Sequence, residues 1–195
     1  MEGKTSKNFK LSTRQITVIG LLSSISIILG MTPLGIIPIP PMNATIMHIP
    51  VIIGAILEGP IIGALIGLIF GVFSMVRAIT TPNITSFIFL NPLISVLPRV
   101  AIGITSYYCY KAVPLKKETL KIGFSAIVGS LTNTIGVLGL IYLFYLKPFA
   151  VATKVSLAAS KEVIWGIAVL QGIPEAILSV LITVSVVMAV RKLRK

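Results

Sequence analysis

Two ionisable residues, Arg99 and Glu175, interrupt long stretches of sequence that otherwise carry no charge, and each directly follows a proline. A guanidinium and a carboxylate in such surroundings either pair with each other or bind a ligand group of opposite charge. Counted at 1.5 Å per residue from Ser86 and Val163, where their stretches begin, they lie roughly 20 Å and roughly 18 Å deep. The sequence therefore predicts a structural ion pair between Arg99 and Glu175, and a direct ligand role for either remains open.

Amide and aromatic side chains form a second group that could position a small molecule. Amides within apolar segments either bridge helices or hold a ligand, and a mostly apolar pocket needs only a few well-placed polar groups. Rings near the ends of such segments otherwise anchor a protein at the membrane surface. The residues that we predict to line a substrate pocket are Asn43, Asn91, Tyr142, Trp165 and Gln171, with Arg99 as a further binding residue.

The sequence lacks the residue combinations of common catalytic sites. It contains one histidine, His48, and no aspartate, so a Ser-His-Asp triad cannot form. No glycine-rich phosphate loop ending in Gly-Lys-Ser or Gly-Lys-Thr occurs, so the chain cannot hydrolyse ATP itself. His48 has no other ligand at metal-binding spacing. We therefore predict a protein that is not an enzyme, with no catalytic residue, no metal and no cofactor.

The charge-free stretches identify the elements that must position these side chains. Hydrophobic residues make up 55% of the 195 residues and charged residues only 11%, against roughly 25% charged in soluble domains. About 20 apolar residues suffice to cross ~30 Å of hydrocarbon. The predicted fold class is an all-α integral membrane protein, one domain of six transmembrane helices in the cell membrane. The approximate spans are 14–32, 44–57, 61–76, 86–110, 122–146 and 163–190.

Proline and glycine patterns refine this picture. The segment 33–43 is too rich in proline to be helical, because proline removes backbone donors; it is predicted to lie at the membrane surface or to cover a cavity. Gly63, Gly67 and Gly71 recur every fourth residue and therefore line one face of span 3, which would let another backbone approach closely. The connection 147–161 is predicted to be a second outer cover.

The distribution of Lys and Arg gives the orientation. Six spans place both termini on one side of the membrane, with twelve cations on that side and four on the other. The positive-inside rule then puts both termini in the cytoplasm. The net charge of +12 is accounted for by anionic lipid headgroups, so nucleic acid is not an expected partner. The twelve are Lys4, Lys7, Lys10, Arg14, Lys111, Lys116, Lys117, Lys121, Arg191, Lys192, Arg194 and Lys195, and the four are Arg77, Lys147, Lys154 and Lys161.

Four stretches carry a family resemblance. They are the small-residue run Gly20–Ser24, the stretch His48–Gly63, the glycine repeat of span 3 and the stretch Asn91–Arg99, which reads Asn-Pro-Leu-Ile-Ser-Val-Leu-Pro-Arg. In these features, and in size and span number, nearly the whole chain resembles the substrate-binding S components of energy-coupling factor (ECF) vitamin transporters. The resemblance implies a high-affinity vitamin-capture subunit that has no ATPase of its own.

The resemblance also implies partners and a cargo. Such a subunit docks on a transmembrane coupling subunit that is driven by two cytoplasmic ATPases. The family often carries small residues four apart in the first span as the docking surface, and Gly20 and Ser24 have that spacing here. Pantothenate-type members are the most similar, chiefly through Asn91–Arg99, and an anionic cargo also suits the four outer cations. Hydroxymethylpyrimidine, pyridoxine, folate and riboflavin are the alternative cargoes.

Two other classes of function remain open. A self-sufficient carrier or channel is disfavoured, because the sequence shows neither an internal repeat nor a chain of intramembrane acids. A scaffold protein would have no small ligand. A capture subunit should bind a vitamin tightly when purified alone, a carrier should move solute unaided, and a scaffold should do neither.

Overall fold

The computed structural model describes residues 11–39 and 42–194, and it is predominantly helical. Within these residues, four helices are long and apolar enough to cross a membrane: Thr13–Met31 (α1), Pro60–Thr80 (α3), Glu118–Phe144 (α7) and Leu157–Leu193 (α9). The predicted class of helical membrane protein is therefore confirmed. The helices are α1 Thr13–Met31, α2 Ile49–Glu58, α3 Pro60–Thr80, α4 Ser86–Phe89, α5 Pro92–Ser95, α6 Leu97–Ala112, α7 Glu118–Phe144, α8 Leu146–Thr153 and α9 Leu157–Leu193.

The described part of the proline-rich segment, 33–39 and 42–43, forms no α-helix, as predicted, but it is more ordered than a surface loop. A 3-10 turn at Pro33–Gly35 leads into two antiparallel strands, β1 Ile36–Ile39 and β2 Met42–Thr45. Ile36 pairs with Thr45 at the base of this hairpin. The following helix α2 begins only at Ile49, not at residue 44 as predicted, because β2 runs to Thr45 and a turn occupies 47–48.

The predicted fourth span, 86–110, is not one helix but three pieces, α4, α5 and α6. The first piece ends at Phe89 with Leu90 as its C-cap, and Asn91 caps the second, since its Oδ1 accepts from the backbone N–H of Leu93 at 2.9 Å. Pro92 and Pro98 stand in the first turns of α5 and α6, where proline's missing N–H breaks no helical bond. The same prolines that suggested a deformed span therefore begin new helices.

The glycine repeat of α3 packs as predicted. A Cβ on Gly63 would meet the Cα of Gly103, one on Gly67 would meet the carbonyl of Arg99, and one on Gly71 would meet the Cα of Val96. All three of these neighbours lie on or next to α6. The predicted close approach of a second backbone is thus confirmed, and it fixes where Arg99 sits in the bundle.

Two ionic clusters tie the helices together at one end of the bundle. Glu58, at the end of α2, accepts from Arg14 of α1 at 2.7 Å and from Arg194, just beyond α9, at 2.8 Å. Arg191 of α9 contacts both Glu118 of α7 and the hydroxyl of Tyr110 on α6. We call this end of the molecule the basic end.

Candidate functional site

A layer of polar side chains separates two apolar cores. One core contains Ile52, Ile102 and Ile122 among others, and the second contains Ile94, Val137 and Ile167 among others. Along α7 and α9, the buried side chains between the two cores are polar: Ser130, Asn133, Thr134, Glu175, Ser179 and Thr183. We call Arg99, Asn133, Thr134, Gln171 and Glu175 the polar layer. Polar groups inside a membrane protein are rare and are commonly functional.

Arg99, in the first turn of α6, is the most unusual member of the layer. Its side chain is only 7% exposed. Nη1 donates to the carbonyl of Ile94 at 2.7 Å, and the guanidinium carbon lies 5.6 Å from the ring centre of Phe70 and 5.7 Å from that of Phe89. Nε has no hydrogen-bond partner among the described residues. Arg99 is therefore a rigidly held cation with unused donor capacity.

Glu175 of α9 is 4% exposed and is occupied by hydrogen-bond donors. Its Oε1 accepts from the backbone N–H of Thr45 at 2.6 Å and from the Thr45 hydroxyl at 3.3 Å. Its Oε2 accepts from the hydroxyl of Thr134 on α7 at 3.3 Å. One carboxylate thus joins β2, α7 and α9.

The predicted ion pair between Arg99 and Glu175 is not present. Among the described residues, the ion pairs within 4.0 Å involve only Glu58 and Glu118 as acids. The reason is that Arg99 is held by a carbonyl and two rings, while three donors already surround the Glu175 carboxylate.

Further buried polar atoms of the layer have no hydrogen-bond partner in the described part of the chain. They include Asn133 Oδ1, an acceptor on α7, and Gln171 Nε2, a donor on α9. More than nine in ten buried polar groups in proteins are paired, so each exception needs an explanation. Together with Arg99 Nε, these atoms provide two donors and one acceptor from three different helices. Such a set could bind a small molecule that carries both acceptors and hydroxyl or amide donors.

His48 extends the polar region beyond the layer and was not predicted as a site residue. It is fully buried, and its Nε2 lies 2.8 Å from the hydroxyl oxygen of Ser179 on α9. A signal for this partner existed in the sequence: Gln171, Glu175, Ser179 and Thr183 occupy every fourth position and therefore share one face of α9. Polar residues repeating at helical spacing in an apolar span indicate a face directed into the protein.

Three other predicted pocket residues, Asn91, Tyr142 and Trp165, do not join the layer. Asn91 is occupied as a helix cap, and its Nδ2 donates to the hydroxyl of Tyr145 at 3.1 Å. Tyr142 is 37% exposed and Trp165 69% exposed, so both face the outside of the bundle. Asn43 lies in β2 opposite Pro38. Of the predicted set, Arg99 and Gln171 contribute to the polar layer.

The outer face of α1 is available to a partner. Gly20 and Ser24 are exposed, and no heavy atom would contact a Cβ placed on Gly20 within 4 Å. Leu21 and Ile28 on either side are also exposed. This patch, the α1 outer face (Gly20, Leu21, Ser24 and Ile28), carries no charge. It is smooth enough for another helix to approach closely.

Known proteins match most of the chain. The family model described as "ECF transporter, substrate-specific component" matches residues 14–187. The pantothenic acid transporter PanT of Lactococcus lactis subsp. cremoris is 35% identical over 170 residues, which is 79% of this chain and 81% of that protein. The pantothenate transporter PanT of Leuconostoc mesenteroides subsp. mesenteroides is 35% identical over 114 residues, 56% of this chain and 55% of that protein.

A solved structure shows the same fold. The S component of a bacterial ECF transporter superposes with a TM-score of 0.65 at 19% identity, covering 93% of this chain and 98% of that chain. The resemblance recognised in the sequence is thereby confirmed. The chain belongs to the family of substrate-specific components of ECF transporters, and it is an integral membrane transport protein, not an enzyme.

Proposed function

We propose that this protein captures pantothenate from outside the cell for ATP-driven uptake. The observation that carries the proposal is the Arg99 guanidinium, which is buried and touches no carboxylate of the described residues. Burying a charge without a partner costs roughly several kcal/mol of free energy. A site that keeps such a cation is suited to a ligand that brings the missing negative charge. Pantothenate does so through its carboxylate.

The break before α6 strengthens the attraction for an anion. The helix begins at Leu97, and Arg99 lies in its first turn. The amino-terminal end of a helix carries a partial positive charge. Membrane transporters use the ends of broken helices in this way to bind anionic groups near the middle of the bilayer. The charge of Arg99 and the helix end therefore act together.

The remaining groups of the layer suit the rest of the same molecule. Pantothenate carries an amide and hydroxyl groups, which can donate to Asn133 Oδ1 and accept from Gln171 Nε2. Both atoms are buried and have no partner among the described residues. The PanT relatives, whose names refer to pantothenate, support this cargo over the other vitamins.

The experiment compares pantothenate with panthenol, in which an uncharged alcohol replaces the carboxylate. Both would be titrated calorimetrically into the purified protein in detergent. We expect panthenol to bind roughly 10- to 150-fold more weakly, because a charge-assisted contact contributes about 1.5–3 kcal/mol. Equal affinity for the two compounds, or release of a different vitamin from the purified protein, would contradict the proposal.

We also propose a topology of six membrane passes with both termini in the cytoplasm. Four passes are the long helices, and the other two are α2 with the hairpin before it and the broken run α4–α6. The basic end, where Arg14, Arg191 and Arg194 meet their acidic partners, would face the cytoplasm. Labelling of a tag at the carboxyl terminus from outside intact cells would refute this orientation.

The energy would come from partners. Members of this family associate with an ECF module; we propose that the module here is a transmembrane coupling subunit with two cytoplasmic ATPases, and that the α1 outer face docks on it. Gly20→Leu or Ser24→Leu should then reduce vitamin uptake by cells severalfold without changing binding by the isolated subunit. Both positions are exposed, so a larger side chain disturbs no internal packing.

Gly166→Leu is a suitable control for this prediction. Gly166 lies on α9, where a Cβ would also contact nothing within 4 Å, and it is not part of the α1 outer face. It should leave uptake unchanged. Loss of binding by purified Gly20→Leu protein would show that α1 shapes the pocket instead.

A further inference from the structure

We propose that the groove between α3 and α6 binds one anionic phospholipid, with an acyl chain lying in the groove and the phosphate held by Lys111. The groove has a volume of about 380 Å³. It is lined by residues of α3 between Pro60 and Leu68 and by Val100, Ile104 and Tyr108 of α6. It lies on the outer surface of the bundle, so the site does not depend on the identity of the cargo.

The walls of the groove suit a hydrocarbon chain. Apart from the ring and hydroxyl of Tyr108, the lining side chains are aliphatic. Ile61, Leu68 and Ile104 are exposed, which in a membrane means that they face lipid. The small side chain of Ala64 leaves space between them. Lipid chains are as apolar as leucine, however, so an apolar groove alone cannot select one lipid over another. Selection must come from the headgroup.

The groove extends over about one leaflet of a bilayer. Helix α3 begins at the basic end with Pro60, and α6 ends there, so the two helices run antiparallel. Val100, at the inner end of the groove, follows Arg99 of the polar layer. Lys111 lies eleven residues further along α6, which is ~16 Å at 1.5 Å per residue. Half of a hydrocarbon core of ~30 Å is ~15 Å. Lys111 therefore lies at the level of the headgroups.

The side chain of Lys111 is placed at the mouth of the groove. Ile104, Tyr108 and Lys111 are spaced four and three residues apart and share one face of α6. The Lys111 Nζ lies 5.4 Å from the ring centre of Tyr107, and the rings of Tyr107 and Tyr108 meet edge to face at 5.5 Å. Tyr107 thus positions both the cation and the ring that closes the groove. Tyrosine is itself common at the level of the headgroups.

The charges at the basic end leave Lys111 available to an anion. Glu58 is paired with Arg14 and Arg194, and Glu118 is paired with Arg191. Among the described residues, no acid forms an ion pair with Lys111 within 4.0 Å. Basic pockets between membrane helices bind anionic headgroups. A lipid phosphate at the mouth of the groove would supply the counter-charge that these acids do not provide.

A second groove, between α6 and α7, offers a control within the same protein. Its volume is about 320 Å³, and Pro98, Ala101, Gly136 and Leu143 are among its lining residues. It is also predominantly aliphatic, but it lies beside the beginning of α6 and the end of α7, away from the basic end. An acyl chain could lie there as well. Without a cation at its mouth, this groove should not distinguish anionic from zwitterionic lipids.

The test is native mass spectrometry of the purified full-length protein, titrated in detergent with phosphatidylglycerol or with phosphatidylcholine of the same chains. We expect one phosphatidylglycerol to bind saturably and ~5-fold more tightly than phosphatidylcholine, from one lysine at the membrane surface. Ala64→Phe should fill the groove and remove this bound lipid. Ala101→Phe makes the same change in the second groove and should leave the headgroup preference as in the wild type.

A pair of lysine variants tests the headgroup contact. Lys111→Gln should lower the affinity for phosphatidylglycerol ~5-fold and leave that for phosphatidylcholine unchanged. Lys116→Gln removes an exposed cation from the connection that follows α6, which contributes no residue to the groove, and should change neither affinity. A ligand that binds only the folded state stabilises it. Phosphatidylglycerol should therefore raise the midpoint of thermal unfolding more in the wild type than in Lys111→Gln.

Four results would overturn the proposal. Equal affinity for the two lipids would show that no headgroup is recognised, and equal losses in Lys111→Gln and Lys116→Gln would show diffuse attraction to the whole basic end. Equal effects of Ala64→Phe and Ala101→Phe would place the chain elsewhere. A species of twice the mass that Ala64→Phe removes would assign the groove to a second copy of the protein. Lys111 is exposed, so Lys111→Gln still decides the question if Ala64→Phe does not fold.

Discussion

Arg99→Met should weaken pantothenate binding by at least ~30-fold, because a buried charge-assisted contact to the carboxylate is lost. Binding of panthenol should change much less, since it has no carboxylate to lose a partner. The measurement is calorimetric titration of both compounds into the variant. Methionine is chosen because it fills a similar space between Phe70 and Phe89 without a charge.

The thermal stability of the vitamin-free protein distinguishes a binding role from a structural one. Arg99 has no contacting acid among the described residues, so its removal leaves no unpaired partner charge behind. We expect Arg99→Met to unfold at the same temperature as the wild type or higher. Lys116→Met, at an exposed cation on the side opposite the four outer cations, is the control and should bind normally. If Arg99→Met binds pantothenate as tightly as wild type, the carboxylate is held elsewhere.

Gly103→Val should destabilise the fold by about 3 kcal/mol, near the upper end of typical overpacking effects. A Cβ at this position would overlap backbone atoms of Gly63 and Ala64 on α3. Backbone cannot move aside as a flexible side chain can, so α3 and α6 would have to separate. The midpoint of thermal unfolding in detergent reports the loss.

A matched glycine on α7 provides the comparison for this prediction. No heavy atom lies within 4 Å of a Cβ placed on Gly139, so Gly139→Val should unfold within a few degrees of the wild type. Similar losses in both variants would mean that glycine flexibility, not close packing, is what the fold requires. Because Gly67 packs on the carbonyl of Arg99, separation of α3 and α6 should also displace the guanidinium.

Features that depend on local spacing could be predicted from the sequence. The repeat of Gly63, Gly67 and Gly71 gave the packing face of α3, because helical geometry alone determines which residues share a face. The same reasoning applied to α9 would have found the face shared by Gln171 and Glu175. The length of the stretches without charged residues predicted the helical membrane class. This prediction also depends on the local sequence and not on contacts between distant residues.

Features that depend on distant contacts could not be predicted. The partners of Glu175 are a strand residue 130 positions away and a threonine on α7, and depth estimates cannot choose between them and Arg99. The breaks around α5 were missed for another reason. An apolar stretch has the same hydropathy whether it forms one helix or three. The interruption is indicated only by the pair Asn91-Pro92, in which a helix-capping residue is followed by a proline that favours the start of a helix.

The double contact of Glu58 brings the two ends of the described chain together. Arg14 and Arg194 reach the same carboxylate oxygen, so the path of the backbone returns almost to its starting point. The described backbone therefore forms a nearly closed loop, and the position of its two ends determines the order in which the helices follow one another. A circular permutant that joins these ends and opens the exposed connection at 113–117 would keep every helix in place. Pantothenate binding by such a permutant would show that the architecture does not depend on which helix is made first.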